Sequence, residues 1–234
     1  LIAVELVIAN TSDKTQRVNP LSASLVDAEG FVLTPELASV SNQIPTILLL
    51  PGQKVKGSIG FKIPENSVPS ALKWAPDIFS PNSISISLEA PPAGHTAALG
   101  PIAAPPPAIT NPFRQEAQAF GVGLTAVTLE DPATPGILHT PIAGTRLVAV
   151  EIIISNPGTA SVSVNPLYFN LVDADGYLYD PELAGRDGQI DTTEIAPGEK
   201  SQGWVAFVIP ESAQPVGIRY APLFSEDILQ VSVR

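Results

Sequence analysis

The sequence contains one segment twice, and this internal repeat limits the possible folds more than any other feature of the 234-residue chain. Residues 1–76 align with residues 147–222 at a constant offset of 146 without a gap, and 33 of these 76 positions are identical. Such self-similarity over an unbroken register indicates that one structural unit was duplicated. The sequence therefore predicts two domains with the same fold.

The repeated unit consists of short apolar segments with turn residues between them, a pattern typical of β-strands. In the second copy, strands are predicted near 119–129, 146–155, 160–164, 167–173, 176–180, 201–209, 216–220 and 228–234. In the second of these strands, Val150, Ile152 and Ile154 are expected to face the core, and Glu151 and Ser155 to face outward. About eight short strands with regular turns are typical of a β-sandwich, so we predict an all-β fold.

The domain boundaries follow from the repeat and from a proline-rich stretch in the middle of the chain. We predict a first domain over 1–89, a linker over 90–116 and a second domain over 117–234. The linker composition favours extended polyproline II structure, which makes a semi-rigid spacer. The first copy has no counterpart of the strand at 119–129. We expect this strand upstream in a longer chain; the alternative is a strand from another chain at the open sheet edge.

Charge and composition exclude several classes of function. The net charge is −11, of which −1 lies in residues 1–88 and −9 in residues 117–234. No cluster of lysine and arginine offsets this acidity, so binding to nucleic acid or to an anionic membrane surface is not expected. The chain has no cysteine and therefore no disulfide or thiolate metal site. No apolar run approaches the roughly 20 residues that a membrane-spanning helix needs.

Several motifs of the second copy together resemble a known family. They are Val-Asn-Pro-Leu at 164–167, Leu-Val-Asp-Ala-Asp-Gly at 171–176, Ile-Ala-Pro-Gly-Glu-Lys at 195–200 and Gly-Trp-Val-Ala-Phe-Val-Ile-Pro at 203–210. In this order they resemble immunoglobulin-like domains of unknown function from bacterial and archaeal secreted proteins and lipoproteins, often mistitled telomeric repeat-binding factor. The resemblance covers both copies. It implies an immunoglobulin-like sandwich, related in fold to a mycobacterial secreted antigen, and an exported, cell-envelope setting, but it implies no catalytic residue.

An acidic segment of the second copy is the candidate for metal binding. Calcium prefers several oxygen ligands gathered in one loop, and Asp173, Asp175 and Asp180 lie within eight residues of one another. The complete twelve-residue calcium loop is absent, so the favoured interpretation is a solvated hairpin turn, with calcium binding as the alternative. His95 and His139 occupy non-equivalent positions in the repeat, and each is expected to be solvated rather than to bind a metal.

The two copies differ in an apolar segment that is a candidate partner interface. The first copy has Ile47 and Leu48 where the second has Thr193 and Glu194. Apolar residues at positions that are polar in a related domain are typical of a docking patch. The predicted interface comprises Ile47, Leu48, Leu49, Trp74 and Phe79. The alternative is that these side chains enlarge the core of the first copy.

These observations favour a non-catalytic module over an enzyme. A Gly-x-Ser-x-Gly nucleophile motif does not occur, and no phosphate-binding loop precedes a helix, so we expect no catalytic residue and no cofactor. The leading hypothesis is a structural or assembly module of an extracellular or cell-envelope protein, in which the first copy docks to partner subunits or to a second copy of the chain. One alternative is a module that binds carbohydrate or calcium at the acidic turns. Another is an accessory part of a larger secreted enzyme.

Overall fold

The structure is a computed structural model in which the chain folds into two compact units, Leu1–Pro106 and Pro107–Arg234. The residues that it describes are 1–75, 83–88, 105–137, 139–140, 142–183, 185–223 and 225–234. These residues form β-strands and two single turns of 3-10 helix, so the predicted all-β class is confirmed. Residues 90–104 of the predicted linker lie outside the described residues.

The second unit is a β-sandwich of two sheets. Its strands are β10 (Ala117–Ala119), β11 (Val122–Glu130), β12 (Thr145–Ser155), β13 (Val162–Val164), β14 (Phe169–Asp173), β15 (Tyr177–Tyr179), β16 (Thr193–Ile195), β17 (Lys200–Pro210), β18 (Pro215–Tyr220) and β19 (Leu229–Ser232). One sheet has the order β10-β11-β12-β17, and the other includes β15-β14-β18-β19, with β13 and β16 forming a separate pair. Side chains from both sheets form one apolar core. The predicted sandwich architecture is therefore confirmed in this unit.

Every second side chain of β12 points into the core of the second unit. Val150, Ile152 and Ile154 are fully buried, as predicted, and face the other sheet. Ser155 lies outside the apolar core, in line with the outward orientation expected for it, but its side chain is buried and donates a hydrogen bond to Glu116 (Oγ–Oε2 3.1 Å). A hydroxyl can be buried at this strand end because the carboxylate satisfies it.

The strand predicted over 119–129 corresponds to β11 from Val122 onward, and its first residues form a tight turn that joins β11 to β10. Strands β10 and β11 pair through Gln118 and Gly123, and the chain reverses at Phe120 and Gly121, whose φ angles are 40° and 80°. Two successive positive φ angles are the geometry of a two-residue hairpin turn. The preference of phenylalanine for strands hid this turn in the sequence. Strand β16 was also not predicted.

Part of the predicted linker belongs to the second unit. The Asn111 side chain donates to the Gln230 carbonyl oxygen (2.7 Å), and the Ser232 N–H donates to the Asn111 carbonyl oxygen (2.9 Å). Phe113 packs against the core, and the Arg114 N–H donates to the Ala126 carbonyl oxygen. Residues 109–114 therefore dock on the second sandwich.

The first unit repeats the strands of the second unit from β12 to β19 in the same register. Its strands are β1 (Ile2–Ala9), β2 (Gln16–Val18), β3 (Ala23–Asp27), β4 (Val32–Leu33), β5 (Pro35–Glu36), β6 (Ile47–Leu49), β7 (Lys54–Phe61), β8 (Pro69–Trp74) and β9 (Ile84–Ser87). The β1–β7 pairing places Val4 opposite Ile59, as the β12–β17 pairing places Val150 opposite Val205. Even the bulge at the end of β3 recurs at the end of β14. Sequence duplication thus produced structural duplication.

Buried polar side chains stabilise the same turns in both units. Asn156 donates to the carbonyl oxygens of Ala160 (2.8 Å) and Ile195 (2.9 Å) and accepts from the Gly158 N–H. Asn10, at the equivalent position, donates to the carbonyl oxygens of Lys14 and Leu49. Backbone groups that are removed from water need such partners. The recurrence of this asparagine therefore has a structural cause.

Candidate functional site

The Asp173 carboxylate organises the turn of the predicted calcium site. It is buried, and its Oδ1 accepts hydrogen bonds from the backbone N–H groups of Asp175 (3.0 Å) and Tyr177 (2.8 Å). Its Oδ2 accepts from the Tyr179 hydroxyl at 2.8 Å. Both carboxylate oxygens are thus engaged by protein donors, which is the role of an aspartate that shapes a turn.

The first unit has the same hydrogen-bonded turn at Asp27, the residue equivalent to Asp173. The Asp27 side chain accepts from the N–H groups of Glu29 and Phe31 and from the Ser67 hydroxyl. Burial opposes ionisation of this carboxyl, but these hydrogen bonds and one from the Gly30 N–H outweigh it and lower the pKa of Asp27. A recurrence of this kind indicates that the aspartate stabilises the fold of the hairpin.

Asp180 belongs to a different cluster on the outer face of the same sheet. Asn170 donates to its Oδ1 (2.9 Å) and accepts from Nε of the fully buried Arg219 (3.0 Å). Ile218 and Tyr220 face the core, so Arg219 between them points to the opposite face. Asp180 therefore stabilises the arginine cluster, and Asp173 stabilises the turn.

The Asp180 cluster gives a testable pH dependence. Asp180 as a whole residue is exposed, but desolvation of its carboxyl raises the pKa to about 6, while Arg219 and the bond from Asn170 oppose the rise. Since this pKa exceeds the unfolded value near 3.8, the charged carboxylate opposes folding above about pH 6, and this contribution disappears as the pH falls toward 4. We expect a carboxyl carbon NMR titration of Asp180 with its midpoint near 6. In Asp180→Asn, stability relative to the wild type should rise from pH 4 to pH 7; a midpoint near 3.8 would contradict the account.

The structure does not gather the three predicted calcium ligands into a cage. Asp175 is exposed, while Asp173 and Asp180 are bonded to the separate partners described above. Within the described ranges, no group of three or more aspartate, glutamate or histidine side chains is placed to hold a metal ion. His139 is partly exposed, and His95 lies outside the described residues. Calcium binding at the three aspartates stays a prediction without support from their arrangement.

The predicted partner residues of the first unit are buried. Ile47, Leu48 and Leu49 form β6, and each is at most 7% exposed. Trp74 is also buried, with 9% of its surface exposed. Phe79 lies outside the described residues. The four described side chains are therefore not the exposed patch that the sequence comparison indicated, and their contact with a partner subunit stays a prediction.

The first unit instead exposes an apolar corner, which we define as Phe31, Val32 and Val68. These side chains are 63%, 61% and 63% exposed. Phe31 and Val68 lie in adjacent loops and Val32 begins β4. The Asp27 side chain accepts hydrogen bonds from both Phe31 and Ser67, and the Ala28 N–H donates to the Val68 carbonyl oxygen (2.8 Å). At the equivalent positions, the second unit has a partly buried tyrosine, a buried leucine and an exposed glutamine. Exposed apolar side chains at neighbouring backbone positions of one copy alone are typical of an interaction surface.

A second apolar surface, the open flank, lies beside β1 and β9. It consists of the core-facing side chains of these two strands: Ile2, Val4, Leu6, Ile8, Ile84 and Ile86. The four side chains of β1 are half-buried, although their counterparts in β12 are fully buried. Ile84 and Ile86 are 62% and 48% exposed, although their counterparts Leu229 and Val231 are buried.

The cause of this difference is the β10–β11 hairpin of the second unit. There β11 pairs with β12, and both hairpin strands contact β19. Among the described residues of the first unit, β1 pairs with β7 alone. The open flank is thus the surface that the hairpin covers in the second copy.

Sequence reasoning missed both surfaces for different reasons. The alignment of Val68 with Gln214 is an apolar-to-polar difference that could have indicated the corner. Because the second copy is one residue shorter after Pro222, Ile84 and Ile86 align with Leu229 and Val231, which are also apolar. Their exposure depends on whether other strands cover them, and the sequence of β9 itself does not record this.

Comparison with solved structures gives several matches of low sequence identity. The ycdA protein of Bacillus subtilis strain 168 is 14% identical over 50% of this chain and 37% of its own, with a TM-score of 0.42. The secreted protein MPT63 of Mycobacterium tuberculosis is 25% identical over 47% of this chain and 82% of its own, with a TM-score of 0.40. The yjhA protein of Bacillus subtilis is 18% identical over 53% of this chain and 100% of its own, with a TM-score of 0.42. The match with ycdA thus spans little more than a third of that protein.

No curated protein matches the sequence. In the described part of the chain, no helix has the length and apolar character needed to span a bilayer.

A family model gives a broader match than the solved structures do. The model of the domain of unknown function DUF4352 matches residues 1–84 and 118–229, which together are most of the chain and include both copies of the repeat. The chain therefore belongs to the DUF4352 family.

Proposed function

We propose that the chain is a non-catalytic assembly module of an extracellular or cell-envelope protein, whose first unit binds partner protein subunits. The observation that carries this proposal is the apolar corner on the first unit. Three large apolar side chains, each more than 60% exposed, cost free energy in water that a protein partner would recover. The exported setting rests on the sequence resemblance described above.

The charge distribution supports a division of roles between the units. Residues 1–88 carry a net charge of −1, whereas residues 117–234 carry −9. A nearly neutral surface can approach a partner without long-range repulsion, whereas a strongly acidic surface stays hydrated and resists association. The second unit is therefore the one that remains exposed to solvent in the proposed assembly.

The arrangement of polar groups supports a module without catalysis. Asp27, Asp173 and Asn156 make hydrogen bonds that stabilise turns in the repeated fold. Asp180 and Arg219 are linked through Asn170 by hydrogen bonds within the fold. A catalytic site would need a nucleophile or acid within reach of a base and a bound substrate.

Site-specific photo-cross-linking in the source cells tests the proposal. A photoreactive amino acid at position 68, in the apolar corner, is expected to give a discrete covalent adduct with another protein. The matched control is position 214, the same site in the second unit, where glutamine is exposed and no adduct is expected. Absence of an adduct at position 68, or equal adducts at both positions, would contradict the proposal.

A further inference from the structure

We propose that the β11–β12 loop of the second unit, residues 131–144, inserts into an apolar pocket of a partner protein whose rim is basic. This inference goes beyond the proposed function, because it gives the acidic second unit a contact of its own, confined to one loop, while the rest of its surface stays in water. The loop joins two neighbouring antiparallel strands. Such connections typically take roughly two to five residues, and loops longer than about 12 residues are commonly functional.

The loop is an uncharged, apolar stretch within the acidic half of the chain. From residue 132 to residue 145 the sequence contains no Asp, Glu, Lys or Arg, although residues 117–234 carry a net charge of −9. Ile137 is 92% exposed and Ile142 is 59% exposed. Isoleucine is among the residues most often buried in proteins, so two exposed isoleucines on one long loop indicate a contact surface.

Hydrogen bonds within the loop fix its shape and leave these two side chains in water. The His139 N–H donates to the Gly136 carbonyl oxygen (3.1 Å) and closes a turn with Ile137 at its second position. The N–H and the hydroxyl of Thr145 both donate to the Ile142 carbonyl oxygen (3.2 and 2.7 Å). A loop that is already ordered loses less conformational entropy on binding than a flexible one.

A neighbouring turn extends the apolar surface of the loop. The Gly136 N–H donates to the Gly185 carbonyl oxygen (2.8 Å), and the Gly185 N–H donates to the Glu182 carbonyl oxygen (3.0 Å). Leu183 is the second residue of the turn that this last bond closes, and it is 54% exposed. Its counterpart Leu37 is exposed to the same extent. Leu183 therefore belongs to the shared scaffold, and the loop adds further apolar surface beside it.

Two arginines lie beside the loop, but each is already engaged by a carboxylate. Arg146 pairs with Asp131 (Nε–Oδ1 2.6 Å), and Arg186 pairs with Glu130 (Nη2–Oε1 2.8 Å). In both pairs two guanidinium nitrogens donate to two carboxylate oxygens, which fixes the positions of the cations. These arginines therefore do not give the loop a positive rim.

Two exposed carboxylates give the loop a negative rim instead. Asp187 follows Gly185, the residue that accepts the hydrogen bond from Gly136 of the loop. Glu211 donates its backbone N–H to the Gly144 carbonyl oxygen (3.1 Å) at the other end of the loop. Both acidic residues are exposed. An apolar pocket bordered by lysine or arginine complements an apolar loop with an acidic rim.

The same charges disfavour other occupants. Anionic lipid headgroups would repel the two carboxylates, whereas a protein pocket can place cations beside them. A contact between the loops of two copies would bring two units of net charge −9 together, which electrostatic repulsion opposes. A partner protein with a basic rim is thus the occupant that the charges favour.

Photo-cross-linking from position 137 in the source cells identifies what the loop contacts. With a photoreactive amino acid in place of Ile137, the chain is expected to give an adduct with one protein. Mass spectrometry of the adduct should locate the cross-link in an apolar segment with lysine or arginine nearby. A lipid adduct, a protein segment without these basic residues, or the absence of an adduct would overturn the inference.

A charge reversal at the rim provides the matched test. Asp187→Lys in the chain that carries the cross-linker should lower the adduct yield at least fivefold, because the rim would repel the basic border of the pocket. The control is Glu194→Lys, the same charge change at an exposed residue next to Ile195, whose carbonyl oxygen binds Asn156 beyond the far end of β12. It should leave the yield within about twofold. Equal yields in the two variants would contradict the proposed rim, and circular dichroism verifies that both are folded.

The outcomes separate this inference from the proposed function. An adduct at position 68 without one at position 137 would uphold partner binding by the first unit and overturn the insertion of the loop. An adduct at position 137 that depends on Asp187, without one at position 68, would support the insertion of the loop and count against the apolar corner as a docking surface.

Discussion

Asn156→Asp is expected to lower the free energy of unfolding of the second unit by roughly 3–5 kcal/mol, because two buried carbonyl groups would lose their donor and face a carboxylate. The side chain amide now donates to the carbonyl oxygens of Ala160 and Ile195, and the residue is buried. Urea denaturation followed by tryptophan fluorescence measures the effect, since Trp204 lies in this unit. The loss should shrink at low pH, where a protonated carboxyl can donate one hydrogen bond.

A second asparagine of the same unit is the matched control. The Asn165 side chain accepts from the Leu167 N–H at the start of a 3-10 turn, and an aspartate can accept the same bond. Asn165→Asp is therefore expected to change the free energy of unfolding by no more than about 0.5 kcal/mol. Equal effects of the two substitutions would show that the donor role of Asn156 is not what stabilises the turn.

Asp173→Ala is expected to destabilise the second unit by about 2–4 kcal/mol, because two backbone N–H groups and the Tyr179 hydroxyl would lose a charged acceptor. Thermal or urea denaturation measures the loss. Asp175→Ala is the control, since this side chain is exposed, and it should change stability by no more than about 0.5 kcal/mol.

The same pair of aspartates provides the test for calcium. Because Asp173 is already engaged by three protein donors, we expect no heat beyond dilution when the wild-type chain is titrated with millimolar calcium. Heat that disappears in a variant carrying both Asp173→Ala and Asp175→Ala would contradict this interpretation and would establish the calcium site.

The repeat in the sequence predicted most of the strand layout correctly. Strands β12, β17, β18 and β19 begin and end within a few residues of their predicted positions, because alternating apolar residues record which face of a strand is buried. The same logic identified Val150, Ile152 and Ile154 as core residues. These features depend on local patterns, which a sequence states directly.

The sequence could not predict features that depend on contacts between distant segments. Asn156 recurs as Asn10, so its importance was visible, but its two acceptors come from the following turn and from β16, 39 residues away. Ile47 and Leu48 were expected to form an exposed patch, but both are buried, because an apolar residue type does not indicate which segments cover it. The open flank could not be predicted from the sequence for the same reason.

The two units thus share a scaffold and differ in what surrounds it. Turn residues such as Asp27 and Asp173 are retained in both copies because they satisfy buried backbone groups. The differences lie in the hairpin that covers β12 and in the apolar corner of the first unit. This division, with stability in the repeated residues and binding in the unrepeated surfaces, is the basis of the proposed function.

Amide hydrogen exchange measured residue by residue is the most direct test of this account. In β12 both edges are paired, so its amides are expected to exchange slowly throughout the strand. In β1 of the isolated chain, amides that point to β7 should exchange slowly, and alternate amides at the open edge should exchange quickly. Uniform slow exchange along β1 in the isolated chain would contradict the account, because it would show that this edge is already covered.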